Sequence, residues 1–213
     1  MIYSDDFVWL HFPKCAGTKL ESIFRKYFSH DKNIFQDRVD PRTDPEGIWH
    51  DSIANREKRD PNFTLGNRVV ICSFRRLPSW LESRYSFEVR LSPQLNHRPE
   101  LLLEGKFLER AGNLNHADVY AKKYVPSAIL FSGRIRFIRT EYFKTDFKRV
   151  FSEFLDVRVV PEWAFIWKEN TSRRLVPSSI RKTLFQNQQE VYERCPYWQA
   201  VEKIAYGQQL PTA

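Results

Sequence analysis

The chain is poor in glycine, with only 7 in 213 residues, and it has no long polar repeat. That argues against a collagen-like or low-complexity chain. Cysteine is also scarce: Cys15, Cys72 and Cys195 are odd in number, and no two stand at metal-ligand spacing. Reduced thiols are the expectation. No apolar run approaches the roughly 20 residues of a membrane helix. The opening Met1-Ile2-Tyr3-Ser4-Asp5-Asp6 has neither a basic segment nor an apolar one to make a leader. A soluble, cytoplasmic protein with no integral membrane segment is therefore expected. No acidic pair stands out as a ligand set, so no metal is expected.

What is present is aromatic and basic. An apolar fraction of 42% and an aromatic fraction of 15% suffice for a real core. A length of 213 residues fits one domain spanning 1–213, with 178–206 as a C-terminal helical segment. Lys and Arg exceed Asp and Glu by 34 to 26, a net charge of +8, which favours polyanionic partners.

Phe7 to Phe12 is short, apolar and aromatic, as a buried strand should be. A Pro-Lys-Cys-Ala-Gly-Thr turn follows. Leu20, Ile23, Phe24, Tyr27 and Phe28 then recur at helical spacing. Residues 30–67 read as a long polar excursion. Arg68 to Phe74 reads as a second buried strand, followed by a helix carrying Trp80, Leu81, Tyr85 and Phe87. Helices are expected at Glu100–Arg110 and Ala117–Tyr124, a third strand at Arg134–Arg139, and a helix through Phe147, Val150, Phe151, Phe154 and Leu155. The last helix should start near Ser178 and break at Pro196. This alternation indicates an α/β fold with a central, mainly parallel sheet flanked by helices. With a phosphate loop after the first strand, the expected form is P-loop-like and three-layered.

Two segments carry chemistry. His11-Phe12-Pro13-Lys14-Cys15-Ala16-Gly17-Thr18 lies between strand and helix, where free N–H groups and the positive helix end can hold phosphate oxygens. Its Lys stands four residues before Thr18, unlike the usual nucleotide loop with Lys beside the hydroxyl residue. In the second segment Arg75 closes a strand, and Ser83 follows eight positions later on a helix. A guanidinium fork with a hydroxyl suits a terminal phosphate monoester.

The first segment resembles the 5′-phosphosulfate loop of sulfotransferases that use 3′-phosphoadenosine 5′-phosphosulfate (PAPS), especially the carbohydrate branch with H-x-P-K-x-A/G-G-T. The second resembles that family's 3′-phosphate site, commonly V-R-D-P-x-x-R-x-x-S-x-Y. Here Arg76 and Leu77 replace Asp-Pro, and Trp80 replaces an Arg. The resemblance implies sulfuryl transfer from PAPS to a hydroxyl acceptor, a carbohydrate or acidic glycan, leaving 3′,5′-adenosine bisphosphate. It assigns donor contacts to Pro13, Lys14, Cys15, Ala16, Gly17, Thr18 and Lys19, and to Arg75 and Ser83, with Lys14 steadying the leaving phosphate. Phe137 to Phe143 is similar to the family's strand ending in a Glu-containing turn. A late polar segment, with Ser172, Arg173 and Arg174, implies further phosphate contacts.

Sulfuryl transfer needs a base for the acceptor hydroxyl, and histidine suits neutral pH. Of five histidines, His50 stands where hexuronic-acid 2-O-sulfotransferases carry theirs, so it is assigned as the base. Asp51 is a weaker candidate or an orienter, His116 the reserve, and His11 a support for the loop. Two rival functions follow from the same residues. One is a nucleotide or small-molecule kinase with an atypical phosphate loop, which would respond to ATP. The other is a non-enzymatic polyanion binder using Arg56, Lys58, Arg59, Lys122, Lys123, Arg134 and Arg136, which strongly salt-dependent binding would reveal. Nucleic acid is not among the expected partners.

Overall fold

The computed structural model describes residues 1–37, 48, 50–166 and 175–207. These group into two compact units, one from 1–74 with 124–166 and the other from 75–123 with 175–207. The strands among the described residues are β1 Ile2–Tyr3, β2 Phe7–Leu10, β3 Phe35–Gln36, β4 Val69–Phe74, β5 Lys106–Leu108, β6 Leu114–His116 and β7 Ile135–Arg139.

The first unit is built on a five-stranded sheet in the order β3-β1-β2-β4-β7. β4 lies parallel to both β2 and β7, while β1 runs antiparallel to both β2 and β3. The sheet is therefore mixed, with β1 running against the other four strands. The reason is local. The Ser4 hydroxyl accepts from the N–H groups of Asp6 and Phe7, and Ser4 N donates to Phe7 O at 2.9 Å. This tight turn reverses the chain before β2, as serine side chains favour.

Alternation along the strands feeds two layers of core. Phe7 and Trp9, with Ile71 and Ile138, pack under the Gly17–Tyr27 and Phe143–Phe151 helices through Leu20, Phe24, Phe147 and Phe151. Val8, Leu10 and Val70 point the other way, toward Ile53 of the Ile53–Arg59 helix, Phe63 and Ile129. An α/β arrangement of a mixed sheet flanked by helices results. Fully buried Asp146 locks the Phe143–Phe151 helix to the end of β7: it accepts from Arg139 N at 2.9 Å and from the guanidinium at 2.6 and 2.8 Å. Burial pushes the Asp146 carboxyl up, but the Arg139 contacts outweigh it and hold the group below the usual carboxylate range.

The second unit centres on the Leu77–Leu91 helix. Its Trp80 is wholly buried, with ring centroids 4.5 Å from Trp198, 5.5 Å from Phe107 and 5.6 Å from Tyr120. The stretch expected as a helix over Glu100–Arg110 is instead a 3-10 turn, Pro99–Glu104, and the first strand of a β5–β6 hairpin. Gly105 ends the turn at φ 70, and a Cβ there would lie 2.2 Å from Cys195 Sγ. The C-terminal segment is three helices, Ser178–Gln186, Gln188–Arg194 and Pro196–Tyr206, with Pro196 opening the last. No helix among the described residues is long and apolar enough to cross a membrane.

Candidate functional site

Each sequence motif follows directly on the carboxyl end of its strand. β2 and β4 are parallel neighbours, with Leu10 opposite Cys72, so both strands run toward the same end of the sheet. In open α/β sheets that is the end where ligands bind.

After β2 the chain turns through an unusual backbone. Lys14 and Ala16 have φ of 64 and 62, and they are the non-glycine residues with positive φ among the described residues. Left-handed backbone costs such residues about 1–3 kcal/mol each and concentrates at functional sites. Alternation of this kind also gathers successive N–H groups into a concave anion nest. Ala16 is the N-cap of the Gly17–Tyr27 helix but supplies no side-chain cap, and the first turn has no acidic residue. A loop of this form before the positive end of a helix is a geometry that can hold an anion. The Cys15 side chain is wholly buried, and its backbone N–H donates to Phe12 O at 3.3 Å, so this residue is taken up within the loop. Lys19 is engaged elsewhere: its ammonium donates to Phe165 O at 2.5 Å and lies 5.5 Å from the Phe143 ring centroid.

His11 supports this loop from inside. A Cβ on Gly17 would fall 1.9 Å from its Nε2, so glycine is required for the helix to start where it does. The ring stacks on Trp9 with centroids 5.2 Å apart, and its Nδ1 lies 2.9 Å from Glu21 Oε1. His50 comes to the same place, its ring 4.5 Å from that of His11. The base candidate and the Lys14 loop thus meet through one buried imidazole. The backbone carbonyl of His50 accepts from the Tyr124 hydroxyl at 2.8 Å. Asp51 is held by Arg59 at 2.8 Å, so its carboxylate is not seen orienting His50.

In the second unit the two consecutive arginines part company. Arg76 pairs with buried Glu202 at 3.2 Å and lies 4.3 Å from the Tyr206 ring centroid. Glu202 also accepts from Leu77 N at 3.1 Å and from the Tyr192 hydroxyl at 2.7 Å, capping the helix that carries Ser83. Burial and the neighbouring carboxylate push the Tyr192 phenol up, so it stays a donor. Arg75 is different. Its Nε is buried without a hydrogen-bond partner among the described residues. A buried orphan guanidinium nitrogen costs stability unless something polar reaches it. Arg75 is half-buried, and Ser83, on the following helix, is also partly exposed. Neither Glu202 nor the role of Arg76 is visible in the sequence, because the carboxylate lies 125 residues beyond the N–H it caps.

Ser172, Arg173 and Arg174 lie outside the described residues. His116, the reserve base, sits with Asp118 and Cys195 in the second unit, their ligand atoms within 4.8 Å of one another. Those atoms serve the fold. Asp118 accepts from the backbone N–H groups of Tyr197 and Trp198 at 3.0 and 2.7 Å, capping the last helix. Asp118 N donates to His116 Nδ1 at 3.2 Å, which leaves Nε2 as the protonated nitrogen of the neutral ring. Burial, with Asp118 adding to it, pushes the Cys195 thiol up to about 12. None of the three cysteines is in a disulfide.

The chain matches no protein-family model, no curated protein and no solved structure.

Proposed function

We propose that this protein is a PAPS-dependent sulfotransferase of P-loop-like form, transferring a sulfuryl group to a hydroxyl, with a carbohydrate or acidic glycan as acceptor. The observation that carries the reading is the loop from Pro13 to Thr18. It is a left-handed, uncapped turn between a parallel strand and a helix, with Lys14 on it and His50 brought beside its supporting imidazole. Arg75, whose buried Nε has no hydrogen-bond partner among the described residues, gives a second anion position of the kind a 3′-phosphate requires.

In this reading the loop N–H groups, Ala16, Gly17 and the Thr18 hydroxyl hold the 5′-phosphosulfate. Lys14 steadies charge on the departing phosphate, Arg75 and Ser83 take the 3′-phosphate, and His50 removes the acceptor proton. Positioning and fixed charges supply most of such a rate enhancement. The departing group is a phosphate anion, so a lysine suffices as its electrostatic partner.

The test is thermal unfolding with 3′,5′-adenosine bisphosphate. At ligand near 100 times its dissociation constant, specific binding adds about 2.7 kcal/mol of stability. No shift at millimolar bisphosphate would reject the donor assignment, and a larger shift with Mg-ATP would favour a kinase.

A further inference from the structure

Glu21 is absent from both motifs, yet it touches the group that joins the donor loop to the base. Its Oε1 lies 2.9 Å from His11 Nδ1, between a carboxylate 16% exposed and an imidazole 4% exposed. The rest of the His11 ring is fixed by Trp9, by Gly17 at the edge carrying Nε2, and by the His50 ring. His11 can hardly move without disturbing both the start of the helix and His50.

A carboxylate at Nδ1 fixes the neutral tautomer, with the proton on Nδ1 and the lone pair on Nε2 toward the helix. The His50 ring packs against this fixed imidazole, with centroids 4.5 Å apart. Asp51, next to His50 in the chain, is already met by Arg59.

We infer that Glu21 is a positioning residue for the transfer, acting through His11 to hold His50 beside the donor loop and to steady the imidazolium His50 becomes. The inference rests on the sulfotransferase reading for the identity of the reaction. In the step, the acceptor O–H bond breaks and its proton goes to His50, while the acceptor oxygen bonds to sulfur. The bond from sulfur to the bridging oxygen breaks, and its electron pair stays on the phosphate of 3′,5′-adenosine bisphosphate. Glu21 remains ionised throughout, and His50 later returns its proton to water.

The test is Glu21→Gln in the full chain, with PAPS cleavage to water as the assay, which needs no particular acceptor. The expected result is a fall in kcat of about tenfold or more with the PAPS KM within twofold. Glu21→Asp keeps the carboxylate and should restore most of kcat. Proton NMR of the histidine rings gives a readout independent of turnover: at one fixed pH the His50 ring signals should shift in Glu21→Gln and return in Glu21→Asp. A folded Glu21→Gln protein with wild-type kcat, or with lower kcat but unmoved His50 signals, would overturn the inference, leaving Glu21 a structural residue. Failure of the wild-type protein to bind the bisphosphate would instead reject the donor reading, while the His50 signals would still decide the Glu21–His11–His50 coupling.

Discussion

Gly17 and the His11 imidazole occupy adjoining space so closely that one added methyl group would lie 1.9 Å from Nε2. The ring cannot easily retreat, since it is buried, stacked on Trp9 and held by Glu21. Gly17→Ala is therefore expected to displace the loop or the ring, at about 1–3 kcal/mol of stability. Bisphosphate binding should weaken at least tenfold. Chemical denaturation and calorimetric titration measure the two effects.

Lys14 and Arg75 should fail in different ways. Lys14→Ala is expected to lower turnover of PAPS by about two to three orders of magnitude, the loss typical of removing one transition-state charge partner. Its affinity for the bisphosphate should change far less. Arg75→Ala should lose about 1.5–3 kcal/mol of bisphosphate binding, the range for a charged hydrogen bond. Because its Nε has no partner among the described residues, the apo protein should not be destabilised. Comparing 3′,5′-adenosine bisphosphate with 5′-AMP isolates the 3′-phosphate: Arg75→Ala should erase the preference.

Glu202 predicts a purely structural phenotype. It is 1% exposed and serves Arg76, the Leu77 N–H and the Tyr192 hydroxyl. Removing one partner of a buried charged set costs about 3–5 kcal/mol. Glu202→Ala should lower the denaturation midpoint sharply, and Arg76→Ala should show a smaller loss of the same kind. Unchanged midpoints in both would contradict the capping arrangement.

Asp146 sets an acid dependence with a definite sign. Its folded carboxyl is held below the usual range, so it contributes stability above the unfolded value, and that contribution disappears as pH falls through the folded one. Asp146→Asn should be markedly less stable than wild type near pH 7. The difference should start to shrink below about pH 4, where unfolded carboxylates take up protons, and vanish only below the lowered folded value. Urea midpoints across this range measure it.

Much of the scaffold could be read from the chain because its signals are local. The aromatic run at Phe7 and the helical spacing of Leu20, Ile23, Phe24 and Tyr27 place β2 and the helix after it within a few residues. The Ala117–Tyr124 helix falls where expected. β1 and β3 are two residues each, too short to show any period, so the antiparallel edge that makes the sheet mixed was illegible. Leu101, Leu102 and Leu103 suggest a helix, but the left-handed Gly105 packed on Cys195 turns the chain into a hairpin. In the candidate site, Lys14, Gly17, Arg75 and His50 were legible as motif positions. Glu21 and Glu202 were not, because each matters only through a partner that folding brings to it.

The strain at Lys14 and Ala16 has a consequence for how this loop would respond to selection. Glycine at either position would relax the left-handed backbone by roughly 1–2 kcal/mol. At 14 it would also delete the cation, and at 16 it would loosen the cradle by widening its conformational freedom. The sturdiest version of the loop is therefore not the one best shaped for an anion. Lineages or laboratory libraries chosen for heat resistance alone should lose these two side chains early.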